Sequence, residues 1–218
     1  LIATTHNNNK IVKILLEYGA DPNISDPEGN SSLTKASYYG YLEVVKVLLE
    51  GGGNPNIATN EGWTAIARAG YYGYLEVVNV LLDWGADPNM TMDGGFTALI
   101  CACQNGHLDI VKTLLDRGTN PNAATIKDGW TAMMSAILSN KLDIVKELLK
   151  RGVDPNISNM EGKTSLTLAV EKRYIDIIKL LMEHPSIESD NALDFHSERS
   201  NYISSVINNN SKNNKIKN

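Results

Sequence analysis

The amino-acid sequence predicts an all-α solenoid in which helix-turn-helix units, joined by β-turn fingers, stack in a row. A Pro-Asn loop recurs five times, and its prolines lie 33, 33, 33 and 34 residues apart. A Leu-Leu pair and two glycines recur in step with these loops. Self-similarity at this period indicates one supersecondary unit stacked on copies of itself. The loops are Asp21-Pro22-Asn23, Asn54-Pro55-Asn56, Asp87-Pro88-Asn89, Asn120-Pro121-Asn122 and Asp154-Pro155-Asn156.

One unit shows how each element is encoded. Gly62 marks a turn because glycine adopts backbone angles that other residues resist. Thr64 is a predicted N-cap, followed by a short first helix over residues 65–72 that is rich in small side chains. A second helix over residues 75–84 carries leucines and valines on one face. Gly85 then ends this helix in the left-handed conformation.

The same frame fits the other units. The turn glycines are Gly29, Gly62, Gly95, Gly129 and Gly162. The predicted first-helix caps are Ser31, Thr64, Thr97, Thr131 and Thr164. The terminating glycines are Gly19, Gly52, Gly85, Gly118 and Gly152.

These residues resemble the ankyrin repeat. Thr97-Ala98-Leu99, Gly106-His107-Leu108-Asp109-Ile110-Val111 and Gly85-Ala86-Asp87-Pro88-Asn89 match the pattern of that family closely. The resemblance covers roughly residues 1 to 187 and implies a β-turn finger, two antiparallel helices and a return loop in each unit. It also implies a structural role for His107, where the family pattern has a histidine.

One departure concerns the histidine that opens the first helix in the family and bonds across adjacent units. The residues in its place are Thr34, Ala67, Ile100, Met134 and Thr167. We therefore expect this array to rely more on apolar packing between units.

The array is expected to contain a partial unit over residues 1–21 and five further units over residues 22–54, 55–87, 88–120, 121–154 and 155–187. We refer to them as units 1 to 6 in chain order. Residues 188–207 are predicted to form a C-terminal capping helix, and residues 208–218 a disordered polar tail. The chain begins inside a first helix, which is interpreted as an excerpt of a longer protein or a degenerate N-terminal cap.

Composition narrows the function classes. The formal net charge is −5, and no basic face stands out that would bind nucleic acid. No apolar run is long enough to cross a membrane. Two cysteines in 218 residues do not make a disulfide framework, which favours a reducing, cytoplasmic location. The chain is expected to be monomeric by itself.

The sequence contains no pattern of catalytic residues, so we expect no enzymatic activity and no cofactor. Cys101 and Cys103 lie two residues apart on a predicted helix and therefore point well apart. No second pair at ligand spacing accompanies them, so they are interpreted as packed thiols and no metal site is expected.

Two kinds of position vary between units while the frame holds, and the family architecture places both on the concave face. One follows the turn glycine, and the other ends the first helix. The predicted partner-binding residues are Asn30, Tyr38, Tyr39, Trp63, Tyr71, Tyr72, Phe96, Gln104, Asn105, Trp130, Leu138, Lys163 and Lys172.

Trp63, Phe96 and Trp130 are expected to form an exposed row along three consecutive fingers. Exposed tryptophans and tyrosines are typical binding anchors. The alternative is that each ring packs on its own finger and stiffens the array. If Trp63 is an exposed anchor, Trp63→Ala changes stability by less than about 1 kcal/mol. The tyrosines also have an alternative explanation, because residues 38–45 nearly repeat at 71–78 and duplication alone would produce them.

The leading hypothesis is a protein–protein interaction module that binds another protein on its concave face. One alternative is a targeting segment of a larger enzyme whose catalytic part lies outside this chain. Another is an effector acting in a host cytoplasm, suggested by the Asn-, Ile- and Lys-rich composition. A third is a structural spacer.

Overall fold

Twelve α-helices in two rows make up the part of the chain that the computed structural model describes, residues 1–187. The first helices of the units are α1 Ile2–Thr5, α3 Ser32–Tyr39, α5 Ala65–Tyr72, α7 Ala98–Asn105, α9 Ala132–Leu138 and α11 Ser165–Lys172. The second helices are α2 Asn9–Glu17, α4 Leu42–Glu50, α6 Leu75–Asp83, α8 Leu108–Asp116, α10 Leu142–Lys150 and α12 Ile175–Glu183. The predicted all-α solenoid is confirmed. The expected capping helix and tail lie outside the described residues.

The helix ends follow the sequence signals. At the start of α3, α5, α7, α9 and α11, a Ser or Thr side chain accepts a hydrogen bond from the backbone N–H three residues on. The terminating glycines adopt positive φ, as Gly85 does at 79°. Helix α6 ends at Asp83, one residue earlier than predicted, and Trp84 is its C-cap.

From unit 2 onwards, the first helices of neighbouring units pack more closely than the second helices do. Small side chains permit this approach: Ala65, Ala67 and Ala69 are buried in α5, and a Cβ added to Gly70 would lie 3.3 Å from the carbonyl oxygen of Ala98 in the next unit. Closer packing in the row of first helices than in the row of second helices is the asymmetry that bends a solenoid towards the first helices. We therefore expect the fingers and first helices to lie on the concave side.

Each finger is a short hairpin that bonds to the next finger. The N–H groups of Asn60, Asp93, Ile126 and Met160 donate to the carbonyls of Glu28, Glu61, Gly94 and Asp128, at 2.7–3.1 Å. The finger glycine permits this contact, since a Cβ added to Gly62 would lie 2.7 Å from Cα of Met92 in the next finger. Gly62 also has a φ of 81°. The close contact with the next finger and the positive φ both require a glycine at position 62.

The return loops form a second ladder between units. Asn23 Oδ1 accepts from the N–H of Asn54 at 2.7 Å, and Asn23 Nδ2 donates to the carbonyl of Gly52 at 3.1 Å. The same acceptor pattern recurs along the array, joining Asn56 to Asp87, Asn89 to Asn120, and Asn122 to Asp154. Each loop thus satisfies a backbone N–H of the unit that follows.

The positions that lack the family's histidine carry apolar side chains or threonines. Ile100 and Met134 are fully buried. Thr34 and Thr167 instead donate a hydroxyl hydrogen bond to the carbonyl three residues earlier, at 2.9 Å in both cases. At the other histidine position, His107 Nε2 lies 3.0 Å from the carbonyl oxygen of Tyr71 in the preceding unit.

The first unit differs from the others in what its second helix exposes. Ile11 and Leu15 in α2 are each 47% exposed. The equivalent residues of α4, Val44 and Leu48, are 0% and 2% exposed. Positions that are core elsewhere in the array therefore face solvent on α2.

Truncating the apolar residues at the histidine positions tests their packing role. We expect Ile100→Ala and Met134→Ala each to lower the free energy of unfolding by about 2–5 kcal/mol, because buried side chains leave cavities. Met160 is 72% exposed and provides the matched control: Met160→Ala should stay within about 0.5 kcal/mol. Urea denaturation followed by circular dichroism measures all three. Wild-type stability in both core variants would contradict the packing role.

Two glycines with nearly the same backbone conformation distinguish the cost of a positive φ from the cost of close contact with the next finger. Gly62 and Gly85 have φ of 81° and 79°, but an added Cβ meets the next finger only at Gly62 and meets nothing within 4 Å at Gly85. Both Ala substitutions incur the left-handed penalty of about 1–2 kcal/mol. Gly62→Ala should lose at least about 1 kcal/mol more, from overpacking. Equal losses in urea denaturation would show that the finger contact adds no constraint.

Candidate binding surface

The predicted residues that follow the turn glycines all occupy one structural position, the closing residue of a finger. The carbonyls of Asn30, Trp63, Phe96, Trp130 and Lys163 each accept the N–H of the residue that opens the same finger, at 2.8–3.0 Å. Each of these residues is half-buried at the junction between the finger and the first helix. These backbone hydrogen bonds therefore fix the position of the Cα atom from which each of these side chains extends.

Seven aromatic rings of units 2 and 3 contact one another in a chain, which we call the aromatic cluster. Its members are Tyr38, Tyr39, Tyr41, Trp63, Tyr71, Tyr72 and Tyr74. Tyr38 and Tyr72 meet edge to face across the two units, with centroids 4.9 Å apart. Tyr71 contacts Tyr72 at 4.9 Å and Trp63 at 5.6 Å, also edge to face. These geometries are the favourable ones for ring pairs.

The repeat builds the cluster by placing the same tyrosines twice. A Tyr-Tyr pair ends α3 and again α5, a left-handed glycine follows, and a third tyrosine is the N-cap residue of the second helix. The ring of Tyr74 lies over Gly40, where an added Cβ would come within 2.6 Å of the ring. The absent side chain of Gly40 thus leaves room for the Tyr74 ring of the next unit. Sequence reasoning omitted Tyr41 and Tyr74 from the site.

Arg68 lies at the centre of the cluster and was also missed. Its Cζ lies 5.1 Å from the Tyr38 ring centroid and 5.0 Å from that of Trp63, within cation–π range. Its terminal nitrogen makes a long contact of 3.5 Å with Asn30 Oδ1, and its buried Nε has no hydrogen-bond partner among the described residues. The guanidinium therefore links the finger of unit 2 with the ring of Trp63.

Two rings of the cluster remain accessible. Tyr39 is 44% exposed and Tyr72 is 40% exposed, whereas the other rings are half-buried. The pKa of Tyr72 is raised to about 12, chiefly by partial burial and secondly by a hydrogen bond with the neighbouring Tyr38 hydroxyl. Tyr72 is therefore a neutral phenol at physiological pH, which presents an apolar ring and a hydrogen-bonding hydroxyl to solvent.

The aromatic residues of the three fingers, Trp63, Phe96 and Trp130, were expected to be exposed, but the structure shows them half-buried. Trp63 and Phe96 both pack against a small core of Ala67, Met92 and Cys101. Trp130 packs against the main core. Because Trp63 is half-buried in these contacts, its truncation is expected to cost stability whether or not it binds a partner. The proposed limit of about 1 kcal/mol for Trp63→Ala therefore cannot distinguish the two roles.

The remaining predicted residues divide between two places. Gln104 is exposed beside Phe96, and Asn105 is half-buried with its Nδ2 donating to the carbonyl of Cys101 at 2.9 Å. The others lie in the last two units, away from the aromatic cluster: Trp130, Leu138, Lys163 and Lys172. Lys163 Nζ is engaged in ion pairs with Glu161 at 2.9 Å and with Glu171 at 3.1 Å.

The thiols are buried parts of α7. Burial raises the pKa of Cys101 to about 12 and raises that of Cys103 further. Both therefore stay protonated at neutral pH, which makes them poor nucleophiles. Within residues 1–187, no group of three or more His, Cys, Asp or Glu side chains is placed to hold a metal ion. No helix of that range is long and apolar enough to span a membrane.

Comparison with protein families agrees with the geometry of the stack. A model described as "Ankyrin repeats (3 copies)" matches residues 1–92 and 124–192, and one described as "Ankyrin repeat" matches residues 94–126. The chain belongs to the ankyrin repeat family. No curated protein matches it. Ankyrin repeats are generally protein–protein interaction modules without catalytic activity.

Asp26 opens the finger of unit 2 in this ankyrin array and gives the stability of that finger a pH dependence. Its carboxylate pairs with Lys35 Nζ at 2.6 Å and accepts the N–H of Asn30 at 2.8 Å. The hydrogen bond from Lys35, with those from Asn30, lowers the pKa of Asp26 from 3.8 to about 2. A lowered folded-state pKa means that this stabilisation is present above about pH 4 and is lost as pH falls through about 2.

We therefore expect Asp26→Asn to be less stable than the wild type at about pH 5, with the difference shrinking towards about pH 2. Urea denaturation of both proteins across this range measures it. A difference that stays constant from about pH 5 to about pH 2 would contradict the assigned role of the carboxylate.

Proposed function

We propose that this chain is a protein–protein interaction module that binds a partner protein on the concave side, through its fingers and first helices. The aromatic cluster of units 2 and 3 acts as the anchor. The observation that carries the proposal is that seven rings contact one another in a chain across two units, while Tyr39 and Tyr72 are 44% and 40% exposed. Tyrosine and tryptophan dominate interface hot spots.

Preorganisation favours binding at this face. Tyr72 is held by edge-to-face contacts with Tyr38 and Tyr71, and Tyr39 stacks on Tyr41 at 5.2 Å. A ring already held in place loses little further rotamer freedom when a partner covers it. The phenol hydroxyls provide hydrogen bonds at the edge of an apolar patch, which suits the mixed surface of another protein.

The charges of the same face make nucleic acid an unsuitable partner. Glu61 and Asp93 are exposed on consecutive fingers. The net charge of the whole chain is −5. Phosphate backbones are bound by clustered lysines and arginines, and the guanidinium of Arg68 is held between two rings.

We also propose that the chain acts as a monomer in the cytoplasm and performs no chemistry itself. The two buried thiols, both free, support a reducing environment and leave no exposed cysteine in residues 1–187 for linking two copies.

Removing exposed rings either from the aromatic cluster or from outside it tests the proposal. Tyr39→Ala with Tyr72→Ala removes the exposed rings of the cluster. Tyr18→Ala with Trp84→Ala removes rings that are 88% and 49% exposed but lie outside it. Affinity capture with quantitative mass spectrometry compares each double variant with the wild type, after circular dichroism has shown that both are folded.

The proposal predicts a partner protein that the wild type and the Tyr18/Trp84 variant retain equally. The Tyr39/Tyr72 variant should retain at least about tenfold less of it, since hot-spot truncations cost 2 kcal/mol or more. Equal retention by both double variants would move the binding site away from the aromatic cluster.

A further inference from the structure

An open groove of about 400 Å³ lies between units 3 and 4, beside the aromatic cluster. We call it the interfinger groove. Its lining residues come from two fingers and two first helices: Glu61, Trp63, Tyr71, Met92, Asp93, Phe96, Cys101 and Gln104. Trp63 and Tyr71 also belong to the aromatic cluster, so the groove continues the proposed binding surface.

The floor and walls of the interfinger groove are apolar. Met92 and Cys101 are 6% and 3% exposed and form a small core with Ala67. Trp63 and Tyr71 stand at 88° to each other and make one wall. Phe96 packs against the same core from the next finger. An apolar side chain of a partner would be covered on several sides here.

The rim of the groove carries two carboxylates that form no ion pair with a basic side chain of residues 1–187. The N–H of Asp93 donates to the carbonyl of Glu61 at 3.0 Å, which holds the two fingers that carry these carboxylates side by side. Both side chains are exposed, and neither makes an ion pair with a described residue. Among residues 1–187, no lysine or arginine lines the groove. The nearby Arg68 is held between the Tyr38 and Trp63 rings.

We propose that the interfinger groove binds an extended segment of a partner protein in which a lysine or arginine adjoins a large apolar residue. This inference rests on the proposed function and names the partner chemistry for that surface. The apolar side chain lies on Met92 and Cys101, and the cationic head lies between Glu61 and Asp93. Both parts fit the chemistry: carboxylates form charge-assisted hydrogen bonds with lysine and arginine, and aromatic faces attract cations. The stem of a lysine or arginine also covers apolar surface.

The probe is a displayed library of random peptides of about 12 residues, selected on the 218-residue chain. Enriched peptides are then synthesised with a fluorophore, and their dissociation constants are measured by anisotropy. Glu61→Gln with Asp93→Asn neutralises the rim without changing its shape. Glu28→Gln is the matched control, because Glu28 is an exposed carboxylate one repeat before Glu61 and does not line the groove.

We expect the enriched peptides to share a lysine or arginine next to a large apolar residue. The Glu61/Asp93 variant should bind them at least tenfold more weakly, and the Glu28 variant should bind them like the wild type. Raising the salt concentration should weaken binding to the wild type, since exposed charges are screened over about 8 Å at physiological ionic strength.

Enrichment of acidic or uncharged peptides, no enrichment at all, or equal affinity for the wild type and the Glu61/Asp93 variant would overturn the inference. Failure of this inference alone can be told apart from failure of the proposed function, because the Tyr39/Tyr72 variant tests the aromatic cluster separately. Peptides that bind the Glu61/Asp93 variant normally but lose affinity for the Tyr39/Tyr72 variant would leave the aromatic cluster as the binding site and remove only the basic specificity.

Discussion

The structure depends on how closely each unit approaches the next. A finger bonds to the following finger only because Gly62 and its equivalents leave no Cβ in the way, and an added Cβ at Gly62 would lie 2.7 Å from Met92 Cα. On the opposite edge, Asn23 and its equivalents hold the return loop of the following unit. Between these two ladders, small residues such as Gly70 let the first helices pack closely. A solenoid has no long-range core, so its stability resides in such nearest-neighbour contacts.

This close approach also creates the surface to which we assign binding. Tyr38 of unit 2 meets Tyr72 of unit 3 because the two helices that carry them are in contact, and Arg68 joins the same two units through the Tyr38 and Trp63 rings. The interfinger groove likewise requires two adjacent fingers, since Glu61 and Asp93 come from different units. Neither feature exists within a single repeat. A change that loosens the stack should therefore weaken binding without touching a binding residue.

Repeat periodicity was sufficient to predict the fold, including the capping residues and the glycines with positive φ, because each of these is a local signal repeated five or more times. The expectation that the finger-closing and helix-ending positions share one face came from the ankyrin resemblance and not from periodicity. Periodicity could not predict how deeply a side chain is buried, which depends on contacts across units. Trp63 is an example, because it was expected to be exposed but is half-buried against Met92 and Cys101. Arg68 was missed for the same reason, since its partners Tyr38 and Asn30 lie in the preceding unit.

Backbone hydrogen exchange of the 218-residue chain, alone and with the partner recovered by affinity capture, locates the binding site. We expect added protection to concentrate in units 2 to 4, at the ends of α3 and α5 and in the two fingers around Glu61 and Asp93. The second helices and unit 6 should exchange as in the free chain. Protection centred on the second helices, or spread evenly along the array, would contradict a binding site on the aromatic cluster and the interfinger groove.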